Sequence, residues 1–260
     1  MKNLARKMFR SPLGVAVRNI LGLRPPIFLY SFKSSFLASD LFIWRTDKGL
    51  ETRFSLSDIL GKYYLTESTA RFVFYDRQGR FFKEDEFVFV DGNLELVFTP
   101  EYLGQADIGT FCVFNLPKRP VHHELNVKNR CYVGYGRNGS FSMVHGNLVA
   151  VMIDGLHTSG SQDIVKNIEP SVTARKGFYA YTIQKMFDPK FSNFLLFSNP
   201  IDRSIHVNVG GVSESIPPRG CVMLELGDEL WNPLRVESDF VFPRPIVISE
   251  LGEFIDCHHG

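Results

Sequence analysis

What this sequence lacks narrows its class before any single residue is weighed. No run approaches the roughly 18 to 20 uninterrupted apolar residues that cross a bilayer as a helix. The four cysteines, Cys112, Cys131, Cys221 and Cys257, are widely spaced and form no CxxC pair, so neither a redox motif nor a zinc ribbon is expected. With no secretory signal in view, those thiols are expected to be reduced and the chain cytoplasmic. A GxxxxGK[ST] phosphate loop, a GxSxG nucleophile elbow and an HExxH zinc motif are absent, and the GYGRNG run at 134–139 sits in an expected hairpin instead of opening a helix, so it is not expected to cradle phosphate. Strands alternating with helices of roughly 10 to 15 residues are also missing, which argues against a doubly wound nucleotide-binding fold. No cofactor is expected.

Negative charge is scarce at one end only. Lys2, Arg6, Lys7, Arg10, Arg18, Arg24 and Lys33 all precede the first acidic residue, Asp40. The rest of the chain holds 22 basic against 28 acidic residues, about −6, although the overall formal charge is +1. An acidic body argues against a nucleic-acid partner.

The cationic leader, residues 1–29, reads as an amphipathic helical arm. Ser11 is placed to cap a helix whose first residue is Pro12. Leu13, Ala16, Val17, Ile20 and Leu21 follow at helical spacing on one face. Gly22 and the Pro25-Pro26 pair end the helix. Such an arm can pack on the body or lie on an anionic membrane surface through Arg6, Lys7, Arg10 and Arg18, each cation contributing about 1 kcal/mol near such a surface. An Arg-rich, acid-free leader also fits a cleaved transit peptide.

What the chain has in plenty is phenylalanine, 24 residues against two tryptophans, within 44% apolar content over 260 residues. Aromatic and β-branched side chains suit a half-buried pleated surface. Short apolar runs alternate with turn chemistry at Asp47-Lys48-Gly49, Asp76 to Gly79, Asp91-Gly92-Asn93 and Asn138-Gly139, a cadence that predicts an all-β antiparallel sandwich. Apolar strands are expected in TFCVFNL, NFLLFSNPIDRSIHVNV, GCVMLEL and DFVFP, and single helical turns over Ser55 to Leu60 and Ala180 to Phe187. "RFVFYDRQGRFF" followed by "GTFCVF" resembles "FLLFSNPIDRSIHV" followed by "GCVML" in pattern. The sandwich is therefore expected either as one large unit or as two related halves, 30–116 and 121–245, joined near Pro117 and Pro120, with 246–260 as a tail.

Asn138-Gly139 is the sharpest local signal, since a type I′ hairpin turn needs positive φ at both central residues. A two-residue loop sets Arg137 opposite Ser140, Tyr135 opposite Ser142, Gly136 opposite Phe141, Gly134 opposite Met143 and Tyr132 opposite His145. Phe141 and Met143 can then lie over bare glycine backbone. Tyr132, Tyr135, Arg137, Asn138 and His145 form the candidate ligand-binding cluster, split by the pleat into Tyr132 and His145 on one face and Tyr135 and Arg137 on the other.

On these grounds the chain is expected to be a non-catalytic binding or interaction module for a carbohydrate or a protein partner, the aromatic faces and polar edges suiting either. The alternative is a hydrolase or isomerase, with or without a metal, using His145, Asp154 and His157. His145 and the Asp154–His157 pair lie at opposite ends of an apolar run, roughly 20 Å apart if it is a strand. His122-His123 and the terminal Asp256, Cys257, His258 and His259 are weaker metal candidates.

Overall fold

The computed structural model describes residues 37–119, 131–146, 176–183, 190–227, 233–241 and 244–260, together with 11, 13, 14, 16, 17, 27–29, 151–153, 168–170, 172–174 and 188. The all-β expectation holds: every strand pairing among these residues is antiparallel. The expected sandwich gives way to four small sheets in a four-bladed, propeller-like arrangement.

In the first sheet, β2 (Leu37–Ala38) and β3 (Phe42–Arg45) both pair with β8 (Ile108–Pro117), which is followed by β5 (Ser68–Asp76) and β6 (Phe81–Val88). The second runs β10 (Ser140–His145), β9 (Cys131–Arg137), β4 (Glu51–Ser57) and β7 (Asn93–Phe98). The third runs β18 (Cys221–Leu226), β15 (Ser192–Ser198), β20 (Ile246–Leu251) and β21 (Phe254–His259). The fourth runs β14 (Tyr179–Ile183), β19 (Leu234–Ser238), β16 (Ile205–Val209) and β17 (Val212–Ile216). Two ribbons pair β1 (Ile27–Leu29) with β13 (Val172–Ala174) and β11 (Val151–Ile153) with β12 (Ile168–Pro170).

The second sheet spans the expected joint near Pro117 and Pro120. The β9–β10 hairpin continues the second sheet from β4, with Glu51 opposite Gly136 and Leu56 opposite Cys131. Residues 246–260 are no tail: β20 pairs with β15, and β21 returns along β20. The physical reason is burial, because Val247 and Ile248 are fully enclosed and Cys257 nearly so.

Three local expectations also shift. Residues 51–57 are strand, and the helix begins two residues after it, at Ile59–Tyr64, because the Asp58 carboxylate accepts the Gly61 N–H at 2.8 Å as N-cap. Residues 179–183 are strand, laddered to β19. The strand near DFVFP is Leu234–Ser238 instead, and Phe240 is buried just beyond it with its N–H donated to Ser238 Oγ.

Two cores result. The first joins the inner faces of the first and second sheets through phenylalanine. Phe111 lies 5.2 to 6.2 Å from the rings of Phe42, Phe54, Phe72, Phe74 and Phe98. The second is mainly aliphatic, with Ile205, Val207, Val209 and Val236 of the fourth sheet against Leu195, Val222 and Val247 of the third. Strand β15 serves both: Phe194 and Leu196 join the aromatic core, Leu195 and Phe197 the aliphatic one. That double burial is why "FLLF" reads as a continuous apolar run without alternation.

Candidate functional site

The hairpin register matches the sequence expectation residue for residue, from Arg137 opposite Ser140 to Tyr132 opposite His145. Asn138 and Gly139 take φ of 51° and 81°, as the turn type requires. The glycines have the packing role expected of them. A Cβ at Gly136 would overlap the Ser140 carbonyl oxygen, and one at Gly134 would overlap Met143 Sδ.

The pleat divides the five candidate residues sharply. Tyr135 is fully buried, and its hydroxyl donates to the Ile43 carbonyl at 2.9 Å, so its ring is part of the core. Arg137 is occupied as a strut, donating to Glu250 Oε2 at 3.1 Å and the Gly252 carbonyl at 3.0 Å. Glu250 also holds Nη1 of the fully buried Arg45 at 2.5 Å, while Asp47 takes Arg45 Nε at 2.7 Å. This Arg45–Glu250–Arg137 bridge ties β3 of the first sheet and β9 of the second to β20 of the third. Asn138 reaches Glu253 Oε2 at 3.0 Å from the turn.

Tyr132 and His145 remain on display. Tyr132 is 49% exposed and Met143 38%, with Phe141 half-buried beside them. The guanidinium of Arg53 stands 5.6 Å from the Phe141 ring centroid and pairs with Glu95 at 2.5 Å. Val97, across from Arg53, is 43% exposed. Together these side chains make an open sheet face that is aromatic and apolar at its centre and charged at its rim.

At the end of this face His145 meets a residue that sequence reasoning did not join to it. His145 Nδ1 lies 3.2 Å from His259 Nε2, with ring centroids 4.5 Å apart, and 2.9 Å from the Gly146 carbonyl. Burial first, then the positive charge of Arg244 and the neighbouring His145, lower the His259 pKa from an ordinary 6.5 to about 4. At neutral pH this imidazole is uncharged. The two histidines are 114 positions apart, so no local motif could have announced the pair.

Asp154 and His157, like His122 and His123, lie outside the described residues, as do Arg6, Lys7, Arg10 and Arg18 of the arm. Among the described residues no group of three His, Cys, Asp or Glu is gathered for a metal, and no helix is long and apolar enough to cross a membrane. All four cysteines are buried and none is in a disulfide. Ser11 does cap the arm helix, its Oγ accepting the Gly14 N–H at 3.1 Å, with Leu13 76% and Val17 46% exposed.

No family model matches the chain, and no curated protein matches it in sequence. Among solved structures, the crystal structure of the major pilin from Streptococcus pyogenes aligns over 84% of this chain and 83% of that one, at 11% identity and a TM-score of 0.19. A likeness that weak carries no argument about fold or role.

Proposed function

We propose that this chain is a non-catalytic binding module whose contact surface is the outer face of the second sheet, around Tyr132, Phe141, Met143, Arg53 and His145. The observation that carries the reading is the use of Gly134 and Gly136. They let Met143 and Phe141 lie across the sheet instead of standing off it, which leaves a low apolar platform beside an exposed tyrosine. Tyr, Phe, Met and Arg are the side chains enriched in the contact patches of protein partners, and the aromatic faces equally suit a sugar ring. A protein partner is the first choice, because the rim is a charged pair and not a set of hydrogen-bonding amides.

Two measurements separate the ligands. A glycan array is probed with the protein and with its Tyr132→Ala variant; hits lost in the variant identify a carbohydrate. Photo-cross-linking from benzophenylalanine at position 132, compared with the exposed position 63, identifies a protein partner if one defined species attaches only at 132. An empty array together with equal cross-linking from both positions ends the proposal. We place the module in the cytoplasm, where reduced thiols are kept.

A second reading concerns the arm. Leu13 and Val17, one helical turn apart and both exposed, support its use as an anchor on an anionic membrane, with Arg6, Lys7, Arg10 and Arg18 supplying the charge. Co-sedimentation with phosphatidylserine vesicles, with and without residues 1–26, tests it. Equal binding by both forms would end it. The enzymatic alternative is the weaker reading, since His145 is drawn to His259.

A further inference from the structure

We infer that His145 and His259 form a two-imidazole site for a divalent transition-metal ion of the zinc and copper class, one that staples the C-terminal strand to the hairpin. The inference stands apart from the binding-module reading and does not require it. It rests first on how the pair is assembled. Strands β10 and β21 are the facing edges of different sheets and share no backbone ladder. They are held by Ser142, whose Oγ accepts the Cys257 N–H at 2.9 Å and whose carbonyl accepts the Cys257 thiol at 2.8 Å. This clasp fixes the offset that brings His259 against His145.

The separation of the nitrogens fits a shared ion. With bonds of about 2.0 to 2.1 Å, two ligands on a tetrahedral metal stand about 3.3 Å apart, and His145 Nδ1 and His259 Nε2 are 3.2 Å apart. Metal ligands must be unprotonated at the bonding nitrogen. Without metal, one proton on His145 Nδ1 serves both the Gly146 carbonyl and His259 Nε2. On binding, the ion takes that position and the proton moves to the outward Nε2 of His145, so both rings ligate as neutral imidazoles. The Asp40 carboxylate packs against Gly146, the residue after His145, and Arg244 Nε donates to the Gly260 carbonyl at 2.9 Å. Water completes the coordination, because the described residues bring no third protein ligand.

The test uses the full chain stripped of metal and titrated with zinc by calorimetry and with copper by pulsed electron paramagnetic resonance. The expected result is one equivalent bound with two imidazoles in the copper modulation pattern. His145→Asn and His259→Asn should each leave one imidazole and weaken affinity at least about tenfold, the low end of what losing even an outer-shell partner costs. Variants at His206 and at His122 with His123 should bind as the parent does. Circular dichroism confirms that each variant is folded. Equal affinity in the parent and in the folded double variant at His145 and His259, or fewer than two imidazoles in the parent, would overturn the assignment.

Discussion

The strand pairs β5–β8 and β15–β18 follow one plan and end up in different surroundings. Each leading strand finishes at a polar residue that organises the turn behind it. Asp76 Oδ1 accepts the N–H groups of Gln78 and Arg80. Asn199 Oδ1 accepts the Ile201 N–H while its amide donates to the carbonyls of Arg203 and Ile216. After Asp76 the chain doubles straight back as β6, beside β5. After Asn199 the longer turn through Pro200 lets β16 cross into another sheet. The turn after Asp76 also meets the turn that leads into β18, since Cys221 N–H donates to the Arg77 carbonyl at 3.1 Å, and Thr110 Oγ1 of β8 donates to the Arg219 carbonyl. One strand motif thus builds an aromatic core in the first case and a shared layer between two cores in the second.

The contrast is broken most severely at Phe111, the ring on which the aromatic core centres. Phe111→Ala should cost about 4 kcal/mol in urea unfolding, whereas Ile205→Val in the aliphatic core should cost about 1 kcal/mol. Comparable losses would mean that the two cores do not differ in how tightly they specify their packing.

Next in size is the bridge between sheets. Glu250→Ala leaves Arg45 buried with Asp47 as its remaining carboxylate partner, and should destabilise by about 3 kcal/mol in the same assay. A loss below about 1 kcal/mol would mark the bridge as incidental.

The hairpin glycines sharpen the comparison on a smaller scale. Gly136→Ala drives a methyl group into the backbone carbonyl of Ser140 and should cost about 2 kcal/mol. Gly134→Ala meets the flexible end of Met143 and should cost less than half as much. A reversed order in thermal melting would contradict the packing described for this face.

Smallest is a pH effect. The folded state holds the His259 pKa near 4 against an ordinary 6.5, so between those values the unfolded chain binds the proton more readily. Stability is complete above about pH 6.5 and declines as pH falls towards 4. His259→Asn should flatten that decline, measured as the difference between the two urea-midpoint curves.

The comparison also shows which features were legible in the sequence. The hairpin register is legible because Asn138-Gly139 dictates its geometry within ten residues. The resemblance between the two strand–turn–strand stretches was visible too, since it lies in local alternation. The sheet to which each strand belongs was not. Residues 131–145 join β4 and residues 246–259 join β15 for reasons of burial at long range, and no local pattern encodes that. That Tyr135 is buried with its hydroxyl on the Ile43 carbonyl was not legible either, because a tyrosine suits a core as readily as a rim when its hydroxyl finds a partner. His259 is legible only as a weak metal candidate, with nothing to join it to His145, because 114 residues separate the two.

The account depends on the hairpin having one face locked and one displayed, and hydroxyl-radical footprinting of the folded protein measures this directly. Tyr132 and Met143 should oxidise readily while Tyr135, three residues from Tyr132, stays protected until the protein unfolds. Equal oxidation of Tyr132 and Tyr135 in the folded state would contradict it.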